Sequence, residues 1–229
     1  NLLLEMRSRN VEFDLPETPK SFEVIVEELT NDSFKVAIIG EAKRGKSSFI
    51  NALLSQEILP VDEEVATSQA FYINYSEKES FFLVFVDGTR LEISKEDLYK
   101  YGSQKTEDEQ GKYKTYLDKE ILWIEINVPN KFLPRNIIII DTPGLGALYA
   151  KHAEITYNVF PIADAFIFTL ESQRPLLELE RSAIRRLLKW SPHIFFIQTK
   201  IDQTKEWEET LERNKQIIKE TFPENFSNN

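Results

Sequence analysis

The chain has 229 residues, of which 41% are hydrophobic and 29% are charged, a composition typical of a soluble globular domain. Its net charge of −10 at pH 7 argues against a nucleic-acid-binding protein and disfavours docking of this segment on anionic lipid, because both partners attract a basic surface. With no cysteine the chain has no disulfide and no thiolate metal site, which fits a cytoplasmic compartment, and no apolar run approaches the ~20 residues of a membrane-spanning helix.

Residues 1–33 are predicted to form a helical extension ahead of the main domain. Pro16 and Pro19 break any helix in the preceding part of this segment, which has no assigned structure. The apolar residues that follow recur at i, i+3, i+4 and i+7 and are Phe22, Ile25, Val26 and Leu29. This period predicts an amphipathic helix over 21–30 that packs on the domain just before the first strand. The short apolar run after Asn1 indicates a domain boundary and not a signal peptide.

Residues 40–47 read G-E-A-K-R-G-K-S and match G-x-x-x-x-G-K-[ST], the loop that wraps nucleotide phosphates. The loop follows a predicted strand at 34–39 and precedes a predicted helix at 46–55, which is the context that the motif requires. Its glycines let the backbone turn tightly and bring N–H groups against phosphate oxygens, and the positive end of the helix faces the same anion. Lys46 is predicted to reach the β- and γ-phosphates, and the Ser47 hydroxyl to ligate Mg²⁺.

The alternative for this stretch is a glycine-rich turn before an ordinary core helix. On the nucleotide-binding interpretation, the contacting residues are Gly40, Glu41, Ala42, Lys43, Arg44, Gly45, Lys46, Ser47 and Ser48. Of the two basic residues inside the loop, Lys43 and Arg44, one could neutralise transition-state charge between the β- and γ-phosphates, or both simply face solvent.

The chain from residue 56 to residue 128 is predicted to contain a polar connection followed by strands at one edge of a sheet. The predicted strands are 69–75, 81–86, 89–93 and 121–128, and a short helix is predicted at 95–101. Asp87 and Gly88 form a hairpin signal between the second and third of these strands. Residues 103–119 are polar with mixed charges, so we expect a mobile loop or a partly ordered insertion there.

Thr67 lies in the polar connection 56–68 and is the next candidate for the site. Its hydroxyl could complete the Mg²⁺ shell and its backbone could hold an attacking water, since loops of this kind order around a γ-phosphate and relax after hydrolysis. Ser68 is a competitor for this role. The alternative is a loop threonine that leads into a strand.

The remainder of the chain alternates apolar strands with helices. The predicted strands are 136–140, 164–170 and 193–199, and the predicted helices are 149–160, 175–190 and 206–221. Strands that are apolar along most of their length are typical of buried parallel strands. The β–α order therefore predicts right-handed crossovers and an α/β fold of the P-loop NTPase class. We expect a doubly wound, mostly parallel sheet with helices on both faces and antiparallel strands at one edge.

Residues 141–144 read D-T-P-G and follow the predicted strand 136–140, at the strand end where open α/β sheets bind nucleotides. An acid at this point, Asp141, can hold Mg²⁺ through a bound water. The Gly144 N–H can donate to the γ-phosphate, since no side chain obstructs it. Alone, this sequence is a common turn.

Residues 199–202 read T-K-I-D and match the [NT]-K-x-D motif of GTPases. The Asp202 carboxylate can accept from both N1–H and N2–H₂ of guanine, whereas adenine has no matching pair of donors. Lys200 can lay its stem over the base, and Thr199 completes the motif. The alternative is a solvated helix start with Asp202 near the N-cap. As the third motif in chain order, this one indicates a guanine nucleotide.

Together these motifs resemble the GTPase domain of the dynamin superfamily and are most similar to the bacterial dynamin-like proteins. Beyond the three motifs, the segments that carry the resemblance are 48–54, 57–60 with Thr67, 163–165, and 173–176 with Glu180. The resemblance implies a GTPase domain at 34–222, followed by a tail at 223–229, with GTP or GDP and Mg²⁺ as cofactors. In this family another strand and a base-contacting loop follow a helix such as 206–221. Residues 223–229 cannot supply them, so the domain is expected to be truncated before its last strand.

The resemblance also implies what the domain does. Dynamin-like GTPases form homodimers or larger assemblies through their GTPase domains across the nucleotide, and dimerisation stimulates hydrolysis. They remodel membranes through a helical stalk and a lipid-binding tip, which would lie outside this chain. The implied location is the cytoplasm, with peripheral binding to the cytoplasmic face of a membrane.

The pattern departs from small Ras-like GTPases at Leu145, where those proteins carry a catalytic Gln, because leucine cannot orient water. Dynamin-like proteins assign that task to phosphate-loop residues, backbone groups and dimer contacts, and Lys43 matches the position of their charge-stabilising groups best. The implied catalytic residues are Lys43, Lys46, Thr67 and Gly144, and the implied metal ligands are Ser47, Thr67 and Asp141. Two alternatives stay open: a slow nucleotide-dependent switch that recruits a partner when GTP-bound, and an ATP-using P-loop protein, which Asp202 opposes.

Overall fold

The computed structural model describes residues 33–61, 69–102, 115–116, 119–145 and 150–226. The helix predicted at 21–30 and the candidate Thr67 lie outside the described residues. The strands, in chain order, are β1 (Phe34–Ile39), β2 (Phe71–Tyr75), β3 (Ser80–Phe85), β4 (Arg90–Ile93), β5 (Thr115–Tyr116), β6 (Lys119–Val128), β7 (Ile137–Asp141), β8 (Ala165–Glu171) and β9 (Ile194–Thr199). The α-helices are α1 (Lys46–Leu54), α2 (Lys95–Gly102), α3 (Ala150–Val159), α4 (Glu178–Leu187), α5 (Trp207–Thr221) and α6 (Pro223–Phe226).

The described strands form one mixed sheet in the order β4-β3-β6-β2-β7-β1-β8-β9, and β5 pairs with β6. Strands β7, β1, β8 and β9 are parallel to one another, which confirms the predicted parallel half. Strand β2 runs antiparallel to β7 and parallel to β6, and β3 pairs antiparallel with both β6 and β4. The predicted antiparallel strands are therefore present, and β2 and β6 join the hairpin β3–β4 to the parallel half.

The sheet buries a hydrophobic core on each face, because successive residues of its central strands point to opposite sides. In β7, Ile138 and Ile140 enter one core and Ile139 enters the other. Helices close the first core through Ile155, Val159, Ala183, Ile184, Leu187 and Ile218. Helices close the second core through Ile50, Leu54, Leu98 and Tyr101. The helices thus cover both faces, as predicted for a doubly wound fold.

Helix α4 is shorter than the predicted range 175–190, because its start is set by a cap. Glu180 Oε2 accepts a hydrogen bond from the Leu177 N–H at 2.8 Å, and Leu177 has an extended backbone. The Leu176 N–H donates to Asn214 Oδ1 at 2.7 Å, so it is already satisfied outside the helix.

None of the described helices combines the length and the apolar character that a membrane span requires.

The segment predicted as a mobile loop or a partly ordered insertion at 103–119 contains a strand in its described part. Thr115 and Tyr116 pair antiparallel with Glu120 and Lys119, and β6 starts at Lys119. The strand agrees with the alternative of a partly ordered insertion and not with the alternative of a mobile loop. The polar composition did not reveal the pairing, because the backbone hydrogen bonds of an antiparallel pair do not require an apolar face.

Truncation of a buried ring in β8 is expected to destabilise the fold strongly. Phe166 is fully buried, whereas Phe195 in the paired strand β9 is 62% exposed. Because Phe166→Ala leaves a cavity, the free energy of unfolding in urea should fall by about 3–5 kcal/mol. The matched Phe195→Ala change should alter it by less than about 0.5 kcal/mol. Equal losses in the two variants would contradict this assignment of the core.

Candidate nucleotide site

The carboxyl ends of the parallel strands meet at one edge of the sheet, where the three predicted motifs come together. Gly40 follows β1, Asp141 ends β7, and Thr199 ends β9. Strand β1 lies between β7 and β8. After β1 the chain continues to β2, on the β7 side, and after β7 it continues to β8, on the opposite side of β1. This edge is therefore a topological switch point, where open α/β sheets bind their ligands.

The phosphate loop ends in a left-handed glycine, and no side chain among the described residues caps the start of α1. Gly45 adopts the left-handed conformation with φ 78°, which costs a glycine little, and no described side chain caps the first turn that begins at Lys46. The first N–H groups of a helix have no partner within it, and its dipole favours an anion at that end. The turn is thus suited to receive phosphate oxygens. Lys43 is also left-handed, with φ 62°, and its side chain is exposed.

Lys46 extends back over the loop that precedes it. Its Nζ donates to the carbonyl oxygens of Gly40 at 3.2 Å and Glu41 at 2.9 Å, and the residue is only 6% exposed. Burial lowers the pKa of Lys46 to about 8, although the nearby Asp141 carboxylate favours the charged form. A buried ammonium group held by neutral carbonyls retains a strong attraction for an anion that enters the loop.

Asp141 and Ser47 form the part of the site that suits a hard cation. Ser47 Oγ donates to Asp141 Oδ2 at 2.6 Å, and Asp141 is fully buried. Asp141 Oδ1 has no hydrogen-bond partner among the described residues. Burial raises the pKa of Asp141 to about 6, against the opposing effects of Lys46 and of the Ser47 hydroxyl. An incompletely bonded buried carboxylate beside a hydroxyl fits Mg²⁺, which prefers oxygen ligands and retained waters.

The turn after Asp141 is fastened to the phosphate loop. The Leu145 N–H donates to the Gly40 carbonyl at 3.1 Å, and Thr142 Oγ1 donates to the Ile38 carbonyl at 2.7 Å. A Cβ atom added to Gly144 would lie 2.3 Å from the backbone nitrogen of Ala42, so only glycine permits this approach. Leu145 is buried and apolar, so it cannot orient water, as expected from its sequence.

The base-recognition turn, residues 199–202, is fastened to the other side of the phosphate loop. Thr199 Oγ1 lies 2.8 Å from the Arg44 carbonyl and can donate to it. Lys200 adopts the left-handed conformation with φ 57°, and Ser172 Oγ donates to its carbonyl at 2.5 Å. Asp202 lies in the short 3₁₀ helix Ile201–Gln203 and is exposed, where a base could reach it. The structure therefore brings this motif beside the loop that would hold the phosphates.

The Arg44 side chain is buried, at 1% exposure, and is surrounded by acids. Its guanidinium forms ion pairs with Glu41 at 3.0 Å, with Glu180 at 3.3 Å and with Glu171. We call these four residues the Arg44 cluster. The alternative in which both basic loop residues face solvent is wrong for Arg44, because three carboxylates offset the cost of its burial. A guanidinium held in this way is not free to neutralise phosphate charge, which leaves Lys43 as the candidate.

Two acids of the Arg44 cluster are absent from the residue-based prediction of the site. Burial raises the pKa of Glu180, although the Leu177 N–H and Arg44 favour its charged form. Burial also acts to raise the pKa of Glu171, but Arg44, Arg174 and Lys200 outweigh it and hold the pKa below its usual value. The signal for Glu171 is its position directly after the apolar strand predicted at 164–170, at the edge where the motifs meet.

Comparison with known proteins identifies what this chain resembles. The family model described as Dynamin family matches residues 36–201. An uncharacterised protein from Caldicellulosiruptor sp. (strain Rt8B.4) is 31% identical over 198 residues, which are 86% of this chain and 48% of that protein. The bacterial dynamin-like protein of Nostoc punctiforme is 27% identical over 179 residues, which are 76% of this chain and 25% of that protein. The chain thus spans about half, or less, of the curated relatives it matches.

The fold comparison gives the same result. A solved structure of an oligomerised bacterial dynamin pair superposes with a TM-score of 0.60 at 21% sequence identity. The superposition covers 96% of this chain and 40% of that chain. At this identity the similarity shows the fold, which is that of a P-loop GTPase.

Substitution of Gly144 by alanine is expected to impair nucleotide binding more than folding. The added Cβ would collide with the Ala42 backbone, so the turn and the phosphate loop must move apart. Affinity for GDP, measured by calorimetry, should fall by at least about tenfold, as ångström-scale misplacement in a site does. The control is Gly88→Ala, a left-handed glycine in the β3–β4 hairpin, which should lower stability and leave GDP affinity unchanged. Unaltered GDP binding by Gly144→Ala would contradict this geometry.

Proposed function

The chain belongs to the dynamin family and carries its GTPase domain, and on that basis we propose that it binds GTP with Mg²⁺, hydrolyses it, and dimerises through this domain to drive membrane remodelling. The observation that carries the proposal is the convergence of Lys46, the Ser47–Asp141 pair and the turn ending in Asp202 on one sheet edge. Across the sheet, Asp141 ends β7, the phosphate loop with Lys46 and Ser47 follows β1, and the base-recognition turn follows β9. The candidate ligands of the metal, the phosphates and the base therefore succeed one another along the same edge.

The phosphates are held by the loop and by Lys46 in this proposal. The backbone N–H groups at the start of α1 donate to the phosphate oxygens, and the buried ammonium group of Lys46 offsets their negative charge. Ser47 Oγ would ligate Mg²⁺ and Asp141 would hold it through water, and the ion would shield the β- and γ-phosphate oxygens. Gly144 presents its N–H to the γ-phosphate, and Thr67 remains the predicted ligand and water-holding residue of the preceding segment.

Hydrolysis proceeds by in-line attack of water on the γ-phosphate. Because Leu145 cannot orient that water and Arg44 is engaged by three acids, the free cation at the loop is Lys43 among the described residues 40–47. Its positive φ is uncommon for a residue with a side chain, and such strain recurs at functional sites. We assign Lys43 the role of neutralising charge between the β- and γ-phosphates in the transition state.

The assembly and membrane parts of the proposal come from the relatives. The matched relative from Nostoc punctiforme is named a bacterial dynamin-like protein, and the superposed structure is of an oligomerised pair described as sensing and tethering membranes. By analogy, two copies of this domain would face each other across the nucleotide. Membrane contact would be made by regions outside this chain, and the protein would lie peripherally on the cytoplasmic face.

A second candidate function is a slow switch that recruits a partner while GTP is bound. The buried, apolar Leu145 favours it, since the domain by itself lacks a side chain at that position to orient the attacking water. Single-turnover hydrolysis over a range of protein concentrations distinguishes the two functions, because dimer-stimulated catalysis accelerates with concentration and a switch does not.

Replacement of Asp202 by asparagine is expected to change base preference. The amide introduced by Asp202→Asn can donate to the O2 of xanthine, whereas it lacks one of the acceptors that guanine needs. Competition measurements should show a preference for GTP over XTP in the unmodified protein and the reverse in Asp202→Asn, with a change in the affinity ratio of about tenfold or more. Lys46→Ala is the control, which should weaken both nucleotides alike. An unchanged ratio would exclude the assigned base contact.

GTP turnover per molecule is expected to rise with protein concentration and to depend on Lys43. In Lys43→Ala the hydrolysis rate at saturating GTP should fall by about 10²-fold or more, because a charge positioned for the transition state is lost. GTP affinity should change by less than about threefold. Steady-state hydrolysis at several protein concentrations provides the measurement.

The control for that experiment is Lys205→Ala, which removes an exposed lysine outside the phosphate loop. It should leave both the rate and its concentration dependence unchanged. A rate per molecule that is constant over the whole concentration range would argue against dimer stimulation, and full activity of Lys43→Ala would remove this residue from the mechanism.

A further inference from the structure

The carboxylate of Glu171 contacts cations from two different parts of the site. Its Oε1 atom pairs with Arg44 Nη1, from the phosphate loop, and accepts a hydrogen bond from Arg174 Nε at 2.6 Å. Its Oε2 atom lies 3.4 Å from Lys200 Nζ, in the base-recognition turn. One oxygen therefore faces the phosphate loop and the other faces the base-recognition turn. Glu171 is 7% exposed, so water screens these contacts only weakly.

Arg44 fixes Glu171 relative to the phosphate loop. The guanidinium is buried and would lose three carboxylate partners if it swung away, which is costly for a buried charge. Glu41 belongs to the same loop and Glu180 to the first turn of α4, so the arginine is held from two sides independently of Glu171. Removal of the Glu171 charge therefore leaves Arg44 paired.

Hydrogen bonds to backbone carbonyls hold the base-recognition turn beside the phosphate loop. Thr199 Oγ1 contacts the Arg44 carbonyl, and Ser172 Oγ holds the Lys200 carbonyl in its left-handed turn. These hydrogen bonds fix the position of the Lys200 backbone. The lysine stem has four rotatable carbons, and the contact with Glu171 Oε2 at 3.4 Å orients the amino group at its end.

We propose that Glu171 is a positioning residue that couples the phosphate loop to base recognition: anchored by Arg44, it holds Lys200 so that the lysine stem lies over the purine. This inference rests on the proposed function, since it requires that a guanine nucleotide occupies the site. A ligand that has phosphates but no base does not use Lys200. Loss of the Glu171 charge therefore weakens binding of the base selectively, whereas a loosened phosphate loop would weaken both kinds of ligand.

The test compares GDP with inorganic pyrophosphate, both with Mg²⁺, by calorimetry on the unmodified protein, Glu171→Gln, Lys200→Ala and the double variant. Glu171→Gln should weaken GDP binding by about fivefold, the effect of one partly screened ion pair, and pyrophosphate binding by less than about twofold. In the Lys200→Ala background, Glu171→Gln should have no further effect on GDP, because the group that it positions is absent.

The matched control is Arg174→Ala, which removes another cation that contacts Glu171 but belongs to neither the phosphate loop nor the base-recognition turn. GDP and pyrophosphate affinities should each stay within about twofold of the unmodified protein, because this side chain is half exposed and water screens its ion pairs with Glu171 and Glu41. Thermal unfolding of every variant reports whether the fold is retained. If Glu171→Gln does not fold, Glu171→Asp takes its place, since the shortened carboxylate retracts from Lys200 and should give the same selective loss.

Three outcomes overturn the inference. Equal weakening of GDP and pyrophosphate in Glu171→Gln would mean that Glu171 supports the fold of the loop only. Additive losses in the double variant would mean that Glu171 does not act through Lys200, and unchanged GDP affinity in Glu171→Gln would remove its role. By contrast, an unmodified protein that binds neither GDP nor GTP would refute the proposed function itself, a result distinct from the other three.

Discussion

The site depends on charged side chains that are buried at the carboxyl edge of the parallel strands. Lys46, Asp141 and Arg44 are all at most 6% exposed, although isolated charges of this kind are expensive to bury. The fold can hold them together only because β1, β7, β8 and β9 end side by side, so that each charge has an opposite charge from a neighbouring strand or loop. The order of the strands therefore determines which charges meet in the site.

The buried charges differ in how completely they are paired. Arg44 has three carboxylates, and its pairs join the phosphate loop to the end of β8 and to the first turn of α4. Lys46 has only carbonyl oxygens as hydrogen-bond partners within the described chain, and Asp141 has one carboxylate oxygen that accepts no hydrogen bond there. The pKa of each is shifted toward its neutral form by burial. The fully paired Arg44 stabilises the arrangement of the loop and helix, whereas the incompletely paired Lys46 and Asp141 can still bind a phosphate and a cation.

Sequence reasoning predicted the parts of this protein that local patterns determine. The phosphate loop, residues 141–144 and residues 199–202 each carry a motif, and the structure brings all three to one edge. The burial of Arg44 could not be predicted in the same way, since it depends on Glu171 and Glu180, which lie more than a hundred residues away in the chain. Likewise, β5 was missed because it is only two residues long and lies in a polar segment of the sequence. Contacts between polar residues that are distant in the chain produce no periodic pattern of residue types in the sequence.

The reversed direction of β2 has a consequence for how the site is completed. Because β2 runs antiparallel to β7, its first residue, Phe71, lies opposite Asp141 at the last position of β7. A parallel β2 would instead begin at the far end of β7, about 13 Å away. Thr67 precedes Phe71 by four positions, a tether that reaches at most about 14 Å. Strand polarity thus places the first residue of β2 beside the buried acid.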